Sequence, residues 1–228
     1  MLYYILFNHD LTAEQAVIHF LITIFVYLVS LTIHEFAHAF SAYKLGDPTA
    51  KVAGRMTLNP FKHLDLMGFI FFMLLGFGWA KPVPIDTSKF KKVKRDVRIV
   101  SSAGILVNLL MGLLSAGICA VLISTVGFGI AALDYVYSLL FYFMMVNSFL
   151  AMFNLLPIMP LDGFNIVASF ARPGNKFVNF MAKNGTRILF GILLLSIITD
   201  VLFGVDILSI YMSLLYDYVF IPISFIGL

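Results

Sequence analysis

Leu31-Thr32-Ile33-His34-Glu35-Phe36-Ala37-His38-Ala39-Phe40 is the stretch on which the reading of this chain turns. It sets an HExxH motif inside an apolar run from about Ala16 to Tyr43. On a helix, residues four apart share a face, so His34 and His38 present two imidazoles to one point. Two neutral imidazoles at that spacing suit a zinc ion, one per chain. Glu35 follows the first of them, placed to act as general base on a water held there. The same motif also arises by chance, and a helical histidine is more often structural. Against that, the three groups sit in a segment hydrophobic enough for lipid, where ionisable side chains are costly and mark function. The chain has two glutamates, Glu14 and Glu35, and only Glu35 lies deep in an apolar stretch.

Around this stretch the chain is 228 residues long, 61% hydrophobic and 12% charged, with a mean hydropathy of +0.98. Soluble domains carry roughly twice that share of charge. With several long apolar runs, the composition predicts an all-α polytopic membrane protein in a lipid bilayer. A single membrane-embedded domain over 1–228 accounts for the length. Its motif-bearing core covers about 14–165, followed by two C-terminal helices at about 186–226. The net charge of +3 is small and clustered, which leaves no nucleic-acid footprint. Cys119 is alone, excluding an internal disulfide and a thiolate zinc site. The N-terminus lacks the basic region and cleavage site of a secretory signal, so the first long helix is expected to serve as insertion signal.

Outward from the motif, the first helix opens near Thr12 or Ala13 and ends near Tyr43. Its apolar part is about 42 Å long, enough to span. A polar connection over 44–65 follows, punctuated by Gly46, Pro48, Gly54 and Pro60. Leu66–Ala80 would make only about 22 Å of helix and reads as a short, re-entrant element. Further apolar segments run from about Ile99 to Val126, Tyr135 to Leu156, 188 to 204 and 207 to 226. Together these give about six spanning or re-entrant segments, with a short irregular, β-like connection at Gly78–Pro84. All fifteen Lys and Arg fall in 44–62, 81–98 and 172–187, read as three loops. The positive-inside rule assigns all three to the cytoplasm. This is expected of a multi-pass cell-membrane protein whose first helix runs inward, with its active site towards the cytoplasmic face.

A catalytic zinc takes three protein ligands and keeps a position open. Three aspartates compete for the third place. Asp162 ranks first: Pro157, Pro160 and Gly163 break the helix around it and aim its side chain into a cavity. Its alternative role is a helix cap. Asp65 reads better as a cap or ion-pair partner. Asp217, between Tyr216 and Tyr218, stays open as an intramembrane acid. His63 reads as part of a local hydrogen-bond arrangement, and His9 and His19 lie towards the opposite face.

Taken together, His34-Glu35-Phe36-Ala37-His38 and Asn154-Leu155-Leu156-Pro157-Ile158-Met159-Pro160-Leu161-Asp162-Gly163 resemble the HExxH and NxxPxxxxDG motifs of the site-2 protease family of intramembrane zinc metalloproteases. Gly54–Gly68 and Gly78–Pro84 resemble its compact bacterial and archaeal branch. The resemblance covers most of 30–165, and the last two helices match only in general character. It implies that His34, His38 and Asp162 bind Zn2+, that Glu35 is catalytic, and that the substrate is a transmembrane segment of another protein, cut within the bilayer. Ala103-Gly104-Ile105 departs from the Ala-Gly-Pro that many members show before the position of Asn108. Neither a PDZ-like insertion nor an appended nucleotide-sensing domain is visible.

For the mechanism, Asn154 has two readings: donor to the developing oxyanion, or helix-terminus cap. Asn108 is a weaker candidate, since a buried Asn often only bonds across a helix interface. The Gly78–Pro84 connection reads slightly better as an interface anchor through Trp79 and Lys81 than as a strand pairing with substrate. Two competing functions remain. A metal transporter or channel needs ligands at several depths, and a non-catalytic helix-binding scaffold needs no general base.

Overall fold

The computed structural model describes residues 12–75, 78–127 and 131–205, together with 207, 210, 211 and 213. The described residues form helices α1 (Ala13–Lys44), α2 (Thr49–Val52), α3 (Leu66–Leu75), α4 (Val93–Val126), α5 (Ala131–Asn154), α6 (Asp162–Phe170) and α7 (Lys176–Phe203), with 3-10 turns at Pro60–Lys62 and Thr87–Lys89. No strand occurs among them. Four helices are long and apolar enough to cross a membrane: α1, α4, the Leu133–Asn154 part of α5, and α7.

Local chemistry fixes the ends. Thr12 and Gln15 form a capping box that opens α1, satisfying amide groups the helix itself leaves bare. α4 begins six residues before the apolar run that announced it. Its basic first turns are held by Asp96, whose carboxylate accepts from the Lys92 amide and both engages and is charge-paired by Arg95. α7 likewise starts twelve residues before its apolar run, capped by Asn175. The residues 93–98 and 176–187, expected in loops, are therefore helical. A run of charge therefore does not mark where these helices begin.

Four candidate spans and the short α3 lie among the described residues, where about six spanning or re-entrant segments are expected. Residues 66–80 do not form one long helix. α3 has ten residues, about 15 Å of helix, half a hydrocarbon core. An antiparallel bridge joins Leu64 to Ala80, and the Lys81 amide donates to the His63 carbonyl at 2.8 Å. The excursion through α3 thus starts and ends side by side. The β-like connection amounts to this isolated bridge, because Pro82 and Pro84 have no N–H to extend a ladder. The apolar stretch over 207–226 falls almost wholly outside the described residues, and so does Asp217.

α4 is the central element, packing on α1, α5 and α6, while α1 also packs on α5. One side of α4 buries small and polar residues, Ser101, Gly104, Asn108, Gly112, Ser115 and Ala116. Its other side exposes Leu106, Leu110, Leu114, Ile118 and Val121, a stripe at helical spacing suited to lipid. Apolar clusters flank the middle of the bundle: Tyr27, Leu31, Phe72, Ala80 and Leu150 in one, and Ile158, Leu161, Leu189 and Leu193 in another.

Candidate metal centre

His34 and His38 lie one turn apart on the buried side of α1, and Asp162 is the first residue of α6. The chain between α5 and α6 turns through Pro157 and a cis Met159–Pro160 peptide. Gly163 is needed at this turn: a Cβ there would lie 2.5 Å from the Leu155 carbonyl carbon and 2.6 Å from the Leu156 oxygen. With glycine, α6 starts directly against the end of α5, and Asp162 faces α1.

Three atoms converge. The His34 and His38 Nε2 atoms are 3.0 Å apart, and Asp162 Oδ2 lies 3.3 Å from the first and 3.1 Å from the second. Ligand atoms held tetrahedrally by bonds of about 2.0–2.1 Å to zinc stand about 3.4 Å apart, so the triangle matches to within a few tenths of an ångström. The opposite ring nitrogens decide the tautomers. His38 Nδ1 bonds the Val100 carbonyl at 2.8 Å, and His34 Nδ1 bonds Asn108 Oδ1. Both partners are acceptors, so both Nδ1 atoms carry the proton and both Nε2 atoms present lone pairs. Neutral rings so arranged have no proton to give Asp162, whose Oδ2 is buried without a hydrogen-bond partner. Three lone-pair atoms facing one another repel unless a cation stands among them. The donor set, two imidazoles and a carboxylate, suits zinc.

Glu35 is buried beside this triangle and accepts the Val83 amide on Oε2 at 2.9 Å. Residues 78–85 form one wall of a cavity of about 440 Å³ that also takes in His34, Glu35, His38, Asn154, Asp162 and the α7 residues Leu189, Phe190 and Leu193. Asn154 lines it while its Nδ2 donates to the Leu150 carbonyl at 2.9 Å, which ties one of its two amide protons to the helix. Trp79 packs between Phe71 and Phe190.

Asp65, His63 and His19 lie as the sequence reading has them. Asp65 caps α3 by accepting the Gly68 amide at 2.8 Å, far from a ligand role. His63 bonds the Thr57 carbonyl at 2.9 Å. His19 meets Tyr142 edge to face and Tyr135 at a tilt, away from the triangle. His9 lies outside the described residues.

A family model described as Peptidase family M50 matches residues 67–196, more than half of the chain. A relative from Bacillus subtilis (strain 168), named "Putative zinc metalloprotease YwhC", is 40% identical over 171 residues, covering 73% of this chain and 76% of the relative. The chain belongs to peptidase family M50. Further likeness is to proteins named "Putative zinc metalloprotease Rip2". That of Mycolicibacterium smegmatis is 29% identical over 183 residues, or 78% of this chain and 68% of the relative. That of Mycobacterium tuberculosis (strain H37Rv) is 29% identical over 186 residues with the same coverage. No solved structure matches. The M50 match takes in Asp162 and begins after His34 and His38. It is the packing of α1 on α4 and α5 that brings the two halves of the triangle together.

Sequence reasoning missed four contributors. Asn147 and Ser30 stand behind Asn108 in a buried hydrogen-bonded chain. Asn147, a lone amide inside the apolar run from Tyr135, carried the cue that a polar residue in lipid needs a reason. Asp47 is fully buried and accepts from the Thr49 hydroxyl, the Thr49 amide and the Asp86 amide, pinning the connection that carries Val83. Burial pushes its carboxyl up, but those hydrogen bonds and the nearby Lys89 charge together hold it below the usual range. Asn165, one turn along α6 from Asp162, also lines the cavity. No periodicity signals Asp47 or Asn165.

Proposed function

We propose that this chain is an intramembrane zinc endopeptidase that hydrolyses a peptide bond within a transmembrane segment of another membrane protein. The observation that carries the reading is the triangle of His34, His38 and Asp162 with Glu35 in the same cavity. His34, His38 and Asp162 are the ligands. Zinc, when bound, polarises a carbonyl and makes water acidic enough to attack near neutral pH. Glu35 takes the proton of the attacking water and returns it to the leaving amine. The Val83 amide steadies the carboxylate without consuming both of its oxygens. The free amide proton of Asn154 donates to the carbonyl oxygen as charge builds there. The apolar wall from Leu189, Phe190 and Leu193 suits a hydrophobic, locally unwound substrate.

The active site faces the cytoplasm on this reading. The ends Lys44, Val93 and Lys176 of the spanning helices carry the basic residues, as the positive-inside rule requires of the inner side. The whole of 1–228 acts as one membrane-embedded domain. Transport is disfavoured, since the described residues hold one ligand cluster and no succession of them through the bundle. A scaffold has no use for Glu35 beside the triangle.

The test is purified full chain in liposomes with single-span membrane proteins, cleavage being mapped by mass spectrometry. Glu35→Gln should slow cleavage by roughly 100- to 10,000-fold and leave zinc content unchanged. Undiminished cleavage by that variant would overturn the mechanism. Cross-linking to the same variant should capture the substrate.

A further inference from the structure

Asn108, Asn147 and Ser30 are fully buried, on α4, α5 and α1 respectively. They form a hydrogen-bonded chain in the middle of an apolar bundle. Asn108 Nδ2 donates to Asn147 Oδ1 at 2.7 Å, and Asn147 Nδ2 donates to Ser30 Oγ at 2.8 Å and to the Phe143 carbonyl at 2.9 Å. The far end of the chain is His34 Nδ1 on Asn108 Oδ1.

The direction of this chain follows from its last link. A backbone carbonyl can only accept, so Asn147 must turn its NH2 towards Phe143. Its oxygen then faces Asn108, which must offer NH2 in return. The Asn108 oxygen is thereby left for His34, and only a protonated Nδ1 satisfies it. An asparagine on its own gives no such instruction, because its two ends are nearly the same shape and a half-turn exchanges donor for acceptor. Asn108 flipped would offer NH2 to His34 and favour the proton on Nε2, the atom that must ligate.

We infer that Asn147 is a positioning residue for the metal: acting through Asn108, it fixes the tautomer of His34 and keeps the Nε2 lone pair directed at the ion. The inference rests on His34 being a ligand. Polar groups this deep are costly when half satisfied and specify one arrangement when fully satisfied. Partners of ligating histidines typically govern about 10–100-fold in metal affinity. Asn147 does so from one residue further out, on a helix that supplies no ligand.

The experiment is competition for Zn2+ between a chromophoric chelator and the purified full chain in detergent. Asn147→Leu should weaken zinc binding by about tenfold or more, within the range for such partners. Asn108→Asp keeps an acceptor for Nδ1–H whichever way it turns but sets an oxygen against Asn147 Oδ1, so it should bind more weakly than wild type and serves as the background for the second arm. The decisive arm is Asn147→Leu in the Asn108→Asp background, where it should cost little. An equal loss in both backgrounds would mean that Asn147 matters only for packing, and no loss in either would also overturn the inference. Should the leucine variant fail to fold, 15N-histidine spectra of the zinc-free wild type give a second reading. His34 should carry its proton on Nδ1, and a proton on Nε2 refutes the inference. If the wild type binds no zinc, or His34→Ala binds it unimpaired, it is the ligand assignment that has failed.

Discussion

Replacing Gly104 by alanine tests how closely α4 is fitted to the two imidazoles. A Cβ at this position would stand 2.5 Å from His38 Nε2, 2.6 Å from His34 Cε1 and 2.7 Å from His38 Cε1. Carbon atoms rest against one another at about 3.5–4.0 Å, so the rings or the helix must give way by about 1 Å. Coordination distances tolerate about 0.2 Å. The methyl group therefore costs at least one ligand its bond, and zinc affinity should fall by about 100-fold, or roughly 2.8 kcal/mol. The control lies on the same helix. A Cβ on Gly117 meets nothing within 4 Å, so Gly117→Ala should leave affinity unchanged and raise helix stability by roughly 0.5–1 kcal/mol. Both variants are to be titrated with zinc against a chelator and assayed for cleavage. If Gly104→Ala binds zinc and cuts like the wild type, α4 does not approach the rings as described.

Asn154→Ala should lower kcat by roughly 100-fold or more with KM little changed, as expected for a donor that engages the developing oxyanion; an unchanged kcat would leave the amide only its bond to Leu150. Stripping the metal with a chelator should lower the thermal midpoint, since an ion present at a hundred times its Kd stabilises the folded chain by about 2.7 kcal/mol. His34→Ala should show no such shift. Asp47→Ala leaves the amides of Thr49 and Asp86 without their acceptor and should destabilise by about 1–3 kcal/mol, read from thermal unfolding at neutral pH. Because the Asp47 carboxyl ionises more readily folded than unfolded, its contribution is full above about pH 4 and drains as pH falls through the lower folded value. Wild type and variant should therefore converge in stability on strong acidification, and parallel curves would contradict the assigned hydrogen bonds.

The convergence of His34, His38 and Asp162 was legible because its parts obey local rules. Two histidines four apart must share a helix face, and an aspartate between proline and glycine must sit at a break. Helix starts were less legible, as α4 and α7 show. Hydropathy registers only the apolar part of a helix, whereas Asp96 and Asn175 hold the polar turns that precede it. The Asn147 link was illegible for a different reason. Its meaning depends on which atoms of Ser30, Phe143 and Asn108 surround it, and those are brought together only by the packing of three helices. Asp47 was hidden in the same way, its partner Asp86 being reached through a turn of the chain with no pattern of its own.

The split of the triangle between the first helix and α6 has a bearing on how such an enzyme is made. A nascent chain inserts α1 early, carrying both histidines and Glu35, while Asp162 is still unsynthesised. At that stage it holds two of the three proposed ligands and lacks the third. On the proposed ligand set, the ability to cut arises only when translation has passed the second half of the bundle.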